Sequence, residues 1–279
     1  RHFISAIYRV LNLNCNLDEI TLKERIVHVD AFPMGINYEQ YHEAPALPAV
    51  REKSAMLREK LADKQVILSV DRLDYSKGIL HRLDGYAQFL ENNPEYHEQV
   101  SLAMIVVPSR DNVEMYAELK AKIDQAIGEI NGRYARLGGS PLFYFYRSFS
   151  FEELIAMYDI ADIALVTPLR DGMNLVAKEY LAAKRDQPGV LILSEMAGAA
   201  IELQDALIIN PNDKDEIEKA ILQALTMPAE EKRERMTAMQ KRIASRTVKR
   251  WANDFVKELR SIKGQNREIL QKVVGKRQL

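Results

Sequence analysis

The sequence predicts an α/β protein built on a doubly wound parallel sheet. Six short apolar runs, each the length of one strand, alternate with stretches of helical spacing. Strands that are hydrophobic throughout are buried on both faces, as they are in parallel sheets. Polar loops follow these runs, and ligands bind at the carboxyl ends of the strands in such sheets. The predicted strands are residues 65–70, 102–107, 142–146, 163–167, 190–193 and 206–209.

The residues before the first of these strands are less regular. Residues 1–14 have apolar side chains at helical spacing, and residues 25–32 alternate like a strand that stops at Pro33. Residues 37–50 show no clear periodicity, which is typical of a connection between domains. A charged helix is predicted over residues 50–61. The alternation of strand and helix therefore begins only at the first apolar run.

Helices are predicted between the strands and after the last one. Their apolar positions recur at the spacing of an amphipathic helix, and Pro94 lies beyond the end of the first of them. The last helical stretch is long and is broken near Pro228. The predicted helices are residues 79–91, 112–130, 150–159, a segment from about residue 174, and residues 213–263.

Composition excludes several kinds of function. The chain has 279 residues, of which 47% are hydrophobic and 28% charged, and its net charge is −1. That balance gives no support to binding nucleic acid or a membrane surface through bulk charge. A single cysteine rules out a disulfide framework and a thiolate metal cluster. Because no apolar run has membrane-spanning length and no signal peptide is visible, we expect a cytoplasmic protein.

Common catalytic and phosphate-binding motifs are absent from the sequence. It contains no GxGxxG fingerprint, no GxxxxGK(S/T) phosphate loop, no GxSxG elbow and no HExxH. The five histidines are scattered. His28 lies within a predicted strand, so we expect it to be packed or hydrogen-bonded rather than catalytic. Any anion binding must therefore come from individually placed residues.

Residues 161–185 are the most informative stretch of the sequence. A buried strand leads through a polar turn that contains Asp171 into a helix that Asn174 can cap. The unpaired N–H groups and the dipole of a helix N-terminus favour an anion. Glu179, one turn further on, suits a pair of vicinal hydroxyls such as those of a ribose. The stretch favours a sugar nucleotide, and the alternative is an ordinary strand–helix unit with a surface acid.

Two cations follow the strand at residues 65–70. Arg72 and Lys77 lie in one short loop, where they can clamp a diphosphate, and Gly78 allows close approach of a backbone. The alternative is a solvated loop in which these cations pair locally with Asp71 or Asp74.

Three further features of the loops remain open between binding and structure. Arg110 follows the next strand and suits a monophosphate, or it pairs with Asp111. Asp171 can bind sugar hydroxyls or form a salt bridge with Arg170. The small residues of segment 194–200 permit close approach of a ligand or tight packing of the chain.

Several segments together resemble the trehalose-6-phosphate synthase family. They are SVDRLDYSKGI, VVPSR, VTPLRDGMNLVAKEY, LSEMAGAA and TVKRWANDF, and the resemblance extends from AFPMGIN to the helix around Trp251. The family consists of retaining glycosyltransferases (GT20) with the GT-B architecture, in which two Rossmann-like domains face each other across a cleft. The resemblance implies that this chain holds the C-terminal, donor-binding domain and a remnant of the N-terminal domain.

The resemblance implies transfer of glucose from UDP-glucose to glucose-6-phosphate, which gives trehalose-6-phosphate and UDP with retention. Arg72 and Lys77 would hold the UDP diphosphate and Asp171 would contact the transferred glucose, so these three are the expected catalytic residues. The two cations would carry the charge of the leaving group. No metal and no cofactor besides the donor substrate are therefore expected.

The resemblance also implies the residues that bind the substrates. The backbone at residues 173–175 would face the donor, Glu179 would take the ribose, Leu154 would touch the uracil edge, and Arg110 would bind the phosphate of the acceptor. The complete set expected to bind UDP-glucose is Arg72, Lys77, Leu154, Met173, Asn174, Leu175, Val176 and Glu179.

The domains and partners follow from the same resemblance. Residues 1–48 would be the end of the N-terminal domain and the connection, residues 49–245 the nucleotide-sugar domain, and residues 246–279 a helix that packs back toward the N-terminal domain. The rest of that domain is expected upstream, so the chain alone should bind nucleotide weakly and turn over poorly. A fused or associated trehalose-phosphate phosphatase and a homo-oligomer of the full-length protein are expected partners, whereas nucleic acid and membrane are not.

Two other functions stay open at this point. One is a related glucosyltransferase with another phosphorylated acceptor, such as glycerol phosphate, because Arg110 suits any phosphate. The other is a non-catalytic domain that senses sugar phosphates. The presence of Arg72, Lys77, Asp171 and Glu179 together disfavours the sensing domain, which would not need all four.

Overall fold

The computed structural model describes residues 2–13, 15–16, 18–22, 25–61, 64–109, 113–136, 139–185 and 188–277. The chain divides into two compact units, one formed by residues 35–247 and the other by residues 1–34 together with residues 248–279. The boundaries predicted from the sequence at residues 48 and 245 stay a prediction. Among the helices of the described residues, none combines the length and the apolar character needed to cross a lipid bilayer.

The secondary structure alternates as expected through most of the chain. The helices are α1 (His2–Leu11), α2 (Tyr38–Glu43), α3 (Pro48–Leu61), α4 (Ile79–Asn92), α5 (Glu114–Tyr134), α6 (Phe151–Ile160), α7 (Leu175–Ala183), α8 (Lys214–Thr226), α9 (Ala229–Ser245) and α10 (Val248–Arg277). The strands are β1 (Cys15–Asn16), β2 (Glu19–Leu22), β3 (Arg25–His28), β4 (Gln65–Arg72), β5 (Val100–Val107), β6 (Leu142–Phe145), β7 (Ile163–Val166), β8 (Val190–Ser194) and β9 (Leu207–Ile209).

The larger unit contains a six-stranded sheet in the order β6-β5-β4-β7-β8-β9, and all of its pairs are parallel. This arrangement confirms the predicted doubly wound sheet. The strand order reverses between β4 and β7, and such a reversal opens a crevice at the carboxyl ends of the two strands. β4 pairs with β5 along its whole length, but it pairs with β7 only at Ile67 and Leu68. The two strands therefore separate toward their carboxyl ends.

Two apolar layers cover the sheet, because alternate side chains of a strand point to opposite faces. One layer contains residues of α3, α6, α7 and α9 together with Val66, Leu68 and Val70 of β4. The other contains residues of α4, α5 and α8 together with Ile67. The sheet is thus buried on both faces, which explains why its strands are apolar throughout.

The smaller unit contains the antiparallel sheet β1-β2-β3 and the helices α1 and α10. Trp251 donates a hydrogen bond from Nε1 to the carbonyl oxygen of Phe32 at 2.9 Å. His28 is hydrogen-bonded, as predicted: its Nε2 lies 2.6 Å from Oδ2 of Asp18. That hydrogen bond raises the pKa of His28, because it favours the charged imidazolium.

The structure differs from the sequence-based expectation mainly before β4. The strand predicted over residues 25–32 ends at His28, and β1 and β2 were not predicted because they are too short to show periodicity. Residues 37–50, which lack clear periodicity, contain α2 and the start of α3. α2 has six residues, fewer than two helical turns.

Candidate functional site

Two loops meet at the carboxyl ends of β4 and β7. The loop of residues 73–78 follows β4, and the loop of residues 167–174 follows β7 and leads into α7. The backbone N–H groups of Leu169 and Arg170 both donate to the carbonyl oxygen of Ser76, at 2.8 and 3.2 Å. The two loops that carry the predicted site residues are therefore directly bonded to each other.

Lys77 and Asp171 form an ion pair across these loops. Nζ of Lys77 lies 2.6 Å from Oδ2 of Asp171, and the side chains are only 16% and 15% exposed. Lys77 is thus not paired locally with Asp71 or Asp74, and Asp171 is not paired with Arg170. These pairings, considered from the sequence as alternatives to binding, are wrong because the partner lies in the neighbouring loop.

The carboxylate of Asp171 has three hydrogen-bond donors around it. Besides Lys77, it accepts from the backbone N–H of Met173 at 3.1 Å and from Nδ2 of Asn174 at 3.2 Å. Burial by itself raises the pKa of Asp171, but these hydrogen bonds outweigh burial, so its pKa is lowered. The carboxylate is therefore held ionised and in a fixed orientation at the mouth of the crevice.

Arg72 is the last residue of β4 and has an exposed side chain. It makes no hydrogen bond and no ion pair through its side chain with any residue in the described ranges. A guanidinium in this position has its N–H groups available to a ligand that carries negative charge.

Gly78 lies where the two loops approach most closely. Its φ is +65°, and a Cβ built on it would lie 2.4 Å from the carbonyl oxygen of Thr167. Both the left-handed conformation and the lack of space require glycine here. A close backbone approach is predicted at Gly78, and in the structure the group that approaches it is the backbone of Thr167.

The N-terminus of α7 is open toward the crevice. Asn174 adopts a left-handed conformation with φ +73°, and its Oδ1 accepts a hydrogen bond from the N–H of Ala177 at 3.2 Å. The predicted cap is therefore confirmed. The N–H groups of Leu175 and Val176 have no acceptor among the described residues. They remain available, together with the positive end of the helix dipole, for an anion.

The segment after β8 supports the loop that carries Asp171. The N–H of Gly198 donates to the carbonyl oxygen of Asp171 at 3.0 Å, and the N–H of Ala199 donates to that of Met173 at 2.8 Å. A Cβ on Gly198 would lie 2.0 Å from the carbonyl oxygen of Gly172. The small residues of segment 194–200 therefore serve tight packing, which was one of the two interpretations of the sequence.

Glu179 is half-buried on α7 and is held by tyrosine. The hydroxyl of Tyr158 donates to its Oε2 at 2.9 Å. Burial raises the pKa of Glu179, and interactions with the hydroxyls of Tyr158 and Tyr41 partly oppose that rise. The two tyrosines orient the carboxylate, but their hydrogen bonds only partly offset the cost of burying its charge.

Leu154 lies on α6 and is partly buried. It packs against the same core cluster as Met173, Leu175 and Val176, so the predicted apolar residues of the site share one cluster. Arg110, the residue predicted to bind the phosphate of the acceptor, lies outside the described residues.

A buried arginine, Arg82 on α4, was not predicted from the sequence. Its side chain is fully buried and pairs with Asp71, with 2.8 Å between Nη2 and Oδ2. The signal was its position on the apolar stripe of α4, three residues from Ile79 and four from Tyr86, because a charge among buried positions requires partners.

A second buried ion pair was also missed. Nζ of Lys178 on α7 lies 2.6 Å from Oε2 of Glu202, and the side chains are 1% and 5% exposed. This pair joins α7 to the segment that supports the loop of Asp171. Within the described ranges, no three His, Cys, Asp or Glu side chains lie close enough together to hold a metal ion.

Comparison with known proteins gives a consistent family assignment. Residues 1–261 match the model of glycosyltransferase family 20. A bifunctional trehalose-6-phosphate synthase/phosphatase of Thermoproteus tenax is 45% identical over 268 residues, which are 96% of this chain and 37% of that protein.

Two solved structures have the same fold as this chain. One is an α,α-trehalose-phosphate synthase (UDP-forming) from Burkholderia xenovorans in complex with glucose-6-phosphate, with a TM-score of 0.88, 34% identity, and coverage of 92% of this chain and 57% of that one. The other is an Escherichia coli protein bound with UDP-2-fluoro glucose, with a TM-score of 0.84, 39% identity, and coverage of 88% and 55%. The chain thus spans little more than half the length of these structures, and less of the Thermoproteus protein.

Proposed function

The chain belongs to glycosyltransferase family 20, and from this premise we propose that it binds UDP-glucose as the donor half of a UDP-forming α,α-trehalose-phosphate synthase. The acceptor is glucose-6-phosphate, and the products are trehalose-6-phosphate and UDP. The two solved structures support this choice of ligands, because one holds glucose-6-phosphate and the other UDP-2-fluoro glucose.

The observation that carries the proposal is the set of positive groups at the crevice between β4 and β7. The guanidinium of Arg72, which has no partner among the described residues, lies at the end of β4. The ammonium of Lys77 and the N-terminus of α7 belong to the two loops at the same edge of the sheet. A diphosphate needs several donors that converge on it. In the proposal, Arg72 and Lys77 bind the diphosphate, and the backbone at residues 173–176 contacts the donor.

The chemistry explains why fixed cations are useful here. When the bond between the anomeric carbon and the phosphate oxygen breaks, negative charge develops on UDP and positive charge on the glucosyl carbon. Groups that already point at the departing phosphate stabilise this state without reorganising. An oxygen of the acceptor forms the new bond from the same face, and its proton passes to the departing phosphate. The proposal gives a metal no role in this step.

Asp171 binds the transferred glucose in this proposal rather than forming a bond to it. Its carboxylate already accepts hydrogen bonds from Lys77, Met173 and Asn174, and each of these weakens its nucleophilicity. The ion pair also keeps Nζ of Lys77 close to the place where the leaving phosphate departs. Binding of the diphosphate would let Lys77 share its three N–H donors between Asp171 and the phosphate.

Glu179 binds the ribose and Leu154 contacts the edge of the uracil in the proposed complex. Oε2 of Glu179 is occupied by Tyr158, and a ribose hydroxyl would add a donor to this half-buried carboxylate. Since hydrogen bonds to the ionised form lower a carboxyl pKa, the nucleotide should lower the raised pKa of Glu179. Arg110 keeps the proposed role of binding the phosphate of the acceptor.

The wider setting belongs to the same proposal. Apart from Arg110, the residues that bind the acceptor are proposed to lie in the part of the relatives that this chain does not match, and the greater length of the related structures supports this. A phosphatase partner is supported by the bifunctional Thermoproteus relative. A cytoplasmic location and a homo-oligomer complete the proposal. A glucosyltransferase with another phosphorylated acceptor is the second candidate, because Arg110 does not distinguish acceptors.

Thermal unfolding in the presence of UDP tests the donor assignment. A ligand that binds only the folded chain at about 100 times its dissociation constant stabilises it by about 2.7 kcal/mol, which corresponds to roughly 5–10 °C for a domain of this size. UDP should therefore raise the melting temperature, and ADP at equal concentration should raise it less. An unchanged melting temperature at millimolar UDP would contradict the proposal.

A further inference from the structure

Arg82 occupies the place where β4 and β7 stop pairing. The hydrogen-bonded ladder between these strands ends at Leu68. Directly beyond it, Nη1 of Arg82 donates to Oγ of Ser69 on β4. Nε of the same guanidinium donates to Oγ1 of Thr167 at 2.9 Å, just after the end of β7. The side chain of Arg82 thus connects the two strands at the point where their backbones separate.

The same guanidinium also holds the loop that follows β4. Its Nη2 donates to the backbone carbonyl oxygen of Lys77 at 3.2 Å and pairs with Oδ2 of Asp71 at 2.8 Å. The next residue, Gly78, lies directly against the backbone of Thr167. The peptide between Lys77 and Gly78 is therefore fixed from both sides.

Stability alone is a poor explanation for this arrangement. A buried ion pair usually stabilises a fold no more than well-packed apolar side chains of the same volume do. What an arginine adds is a rigid, planar set of donors that fixes several acceptors in known directions. Arg82 is 0% exposed, so it cannot touch a ligand itself, and any effect on the site must pass through the groups that it holds.

We propose that Arg82 is a positioning residue for the diphosphate site. Its guanidinium sets the spacing between the loop that carries Lys77 and the loop that carries Asp171, and so determines where the ammonium group of Lys77 points. This inference rests on the proposed function, because it takes the ligand to be a nucleoside diphosphate.

A comparison of UDP with UMP tests this role. Arg82→Lys keeps the positive charge but replaces the fork by one ammonium group, which cannot hold Ser69, Thr167 and Lys77 in their present directions. Calorimetric titration should show UDP binding weakened about tenfold and UMP binding changed by less than about twofold. The reason is that UMP lacks the second phosphate of the diphosphate that Lys77 binds in the proposed function.

Two further variants separate positioning from general loosening. Lys184→Met removes another buried cation, at the opposite end of α7, where Nζ of Lys184 donates to the carbonyl oxygens of Asp159 and Ala161. Whatever its effect on stability, it should leave the ratio of UDP to UMP affinity unchanged. Thr167→Val keeps the shape but removes the acceptor at β7, so it should lower the ratio in the same direction as Arg82→Lys and by less. If Arg82→Lys fails to fold, Thr167→Val still tests the positioning role.

A double mutant identifies the route of the effect. If Arg82 acts through Lys77, then Lys77→Ala combined with Arg82→Lys should bind UDP about as weakly as Lys77→Ala alone. Additive losses would overturn the proposal, and so would an unchanged affinity ratio in a folded Arg82→Lys chain. An equal change of the ratio in Lys184→Met would overturn it as well.

A measurement without nucleotide keeps this inference separate from the proposed function. Carbon NMR of the Asp171 carboxylate should show a higher pKa in Arg82→Lys than in the unmodified chain, because the ammonium group of Lys77 would no longer be held against it. An unchanged pKa would count against positioning by Arg82. A failure of the unmodified chain to bind UDP would contradict the proposed function, and it would be seen before any variant is compared.

Discussion

The two ends of α7 are built in opposite ways. At the N-terminal end, the N–H groups of Leu175 and Val176 have no acceptor in the described part of the chain. At the C-terminal end, the carbonyl oxygens of residues 180–184 all have neighbours that can donate to them. Their partners are the N–H of Lys184 for Tyr180, Nε2 of Gln240 for Leu181 and Lys184, Nδ1 of His42 for Ala182, and the N–H of Arg185 for Ala183.

This difference shows which end contributes to stability and which end is available to a ligand. An unpaired backbone group carries a cost unless water or a ligand satisfies it. The C-terminal end of α7 lies at the amino edge of the sheet, and its carbonyl groups have donors that remove this cost. The N-terminal end lies at the carboxyl edge, where a ligand can satisfy the unpaired N–H groups. Substitutions at the open end should therefore change function more than stability, and substitutions at the closed end should do the reverse.

The largest effect is expected for Arg72→Ala at the open edge. Since Arg72 is exposed and without a partner in the described ranges, its loss should change the free energy of unfolding by less than about 0.5 kcal/mol. Turnover should fall roughly 100- to 1,000-fold, because in the proposed mechanism Arg72 donates to the leaving phosphate. The assay is UDP release from UDP-glucose and glucose-6-phosphate. It uses a longer polypeptide that also contains the region of the related synthases to which this chain does not align.

Arg170→Ala is the matched control for this substitution. Arg170 is another exposed arginine at this edge of the sheet, in the loop that follows β7, and the proposal gives its side chain no role. The turnover of Arg170→Ala should stay within about threefold of that of the unmodified protein. This corresponds to a change of less than about 0.7 kcal/mol in the activation free energy. Near-normal turnover of Arg72→Ala, or equal losses in both variants, would contradict the assignment of Arg72 to the diphosphate.

A smaller effect, on stability, is expected for Gln240→Ala at the closed end. Nε2 of Gln240 donates to the carbonyl oxygens of Leu181 and Lys184 at 2.9 and 2.6 Å. Leaving both unsatisfied should cost about 1–3 kcal/mol in urea unfolding, with UDP affinity unchanged. Gln125→Ala, at an exposed site on α5, should cost less than about 0.5 kcal/mol. A tenfold loss of UDP affinity in Gln240→Ala would show that the two ends are not independent.

The smallest effect concerns pH and Lys184. Burial lowers the pKa of Lys184 from 10.5 to about 8, so between these values the unfolded chain binds more protons than the folded one. Stability attributable to this group therefore rises with pH across that window. From pH 7.5 to pH 9 the free energy of unfolding of the unmodified chain should rise by roughly 1 kcal/mol relative to Lys184→Met. If the free energy of unfolding varied with pH in the same way in the unmodified chain and in Lys184→Met, the prediction would be contradicted.

The fold and the strand, turn and helix that carry the candidate site could be predicted because they depend on local patterns. An apolar run followed by Asp171 and Asn174 predicts a strand, a turn and a capped helix without any knowledge of the rest of the chain. The partner of Asp171 could not be predicted in this way, because Lys77 is 94 residues away. Its identity depends on β4 and β7 being neighbours, which the order of strands along the chain does not reveal.

The support beneath the site was hidden for a related reason. Arg82 stands out on the apolar stripe of α4, so the sequence indicates that it needs partners but not which ones. Its acceptors include Ser69 and Thr167, which look like ordinary small polar residues near the ends of strands. Their role depends on how far β4 and β7 separate. That distance is set by the packing of the whole sheet, so the sequence of either strand does not reveal it.

The strand order also determines when the site can exist during synthesis of the protein. β4 is the first strand of the parallel sheet to leave the ribosome, and β5 and β6 add to one side of it. The half-sheet made at that stage carries Arg72 and Lys77 but lacks Asp171 and α7. Only when β7 inserts on the other side of β4 does the crevice have two walls. UDP binding would therefore report that both halves of the sheet have assembled, and a nascent chain that ends before α7 should not respond to the nucleotide.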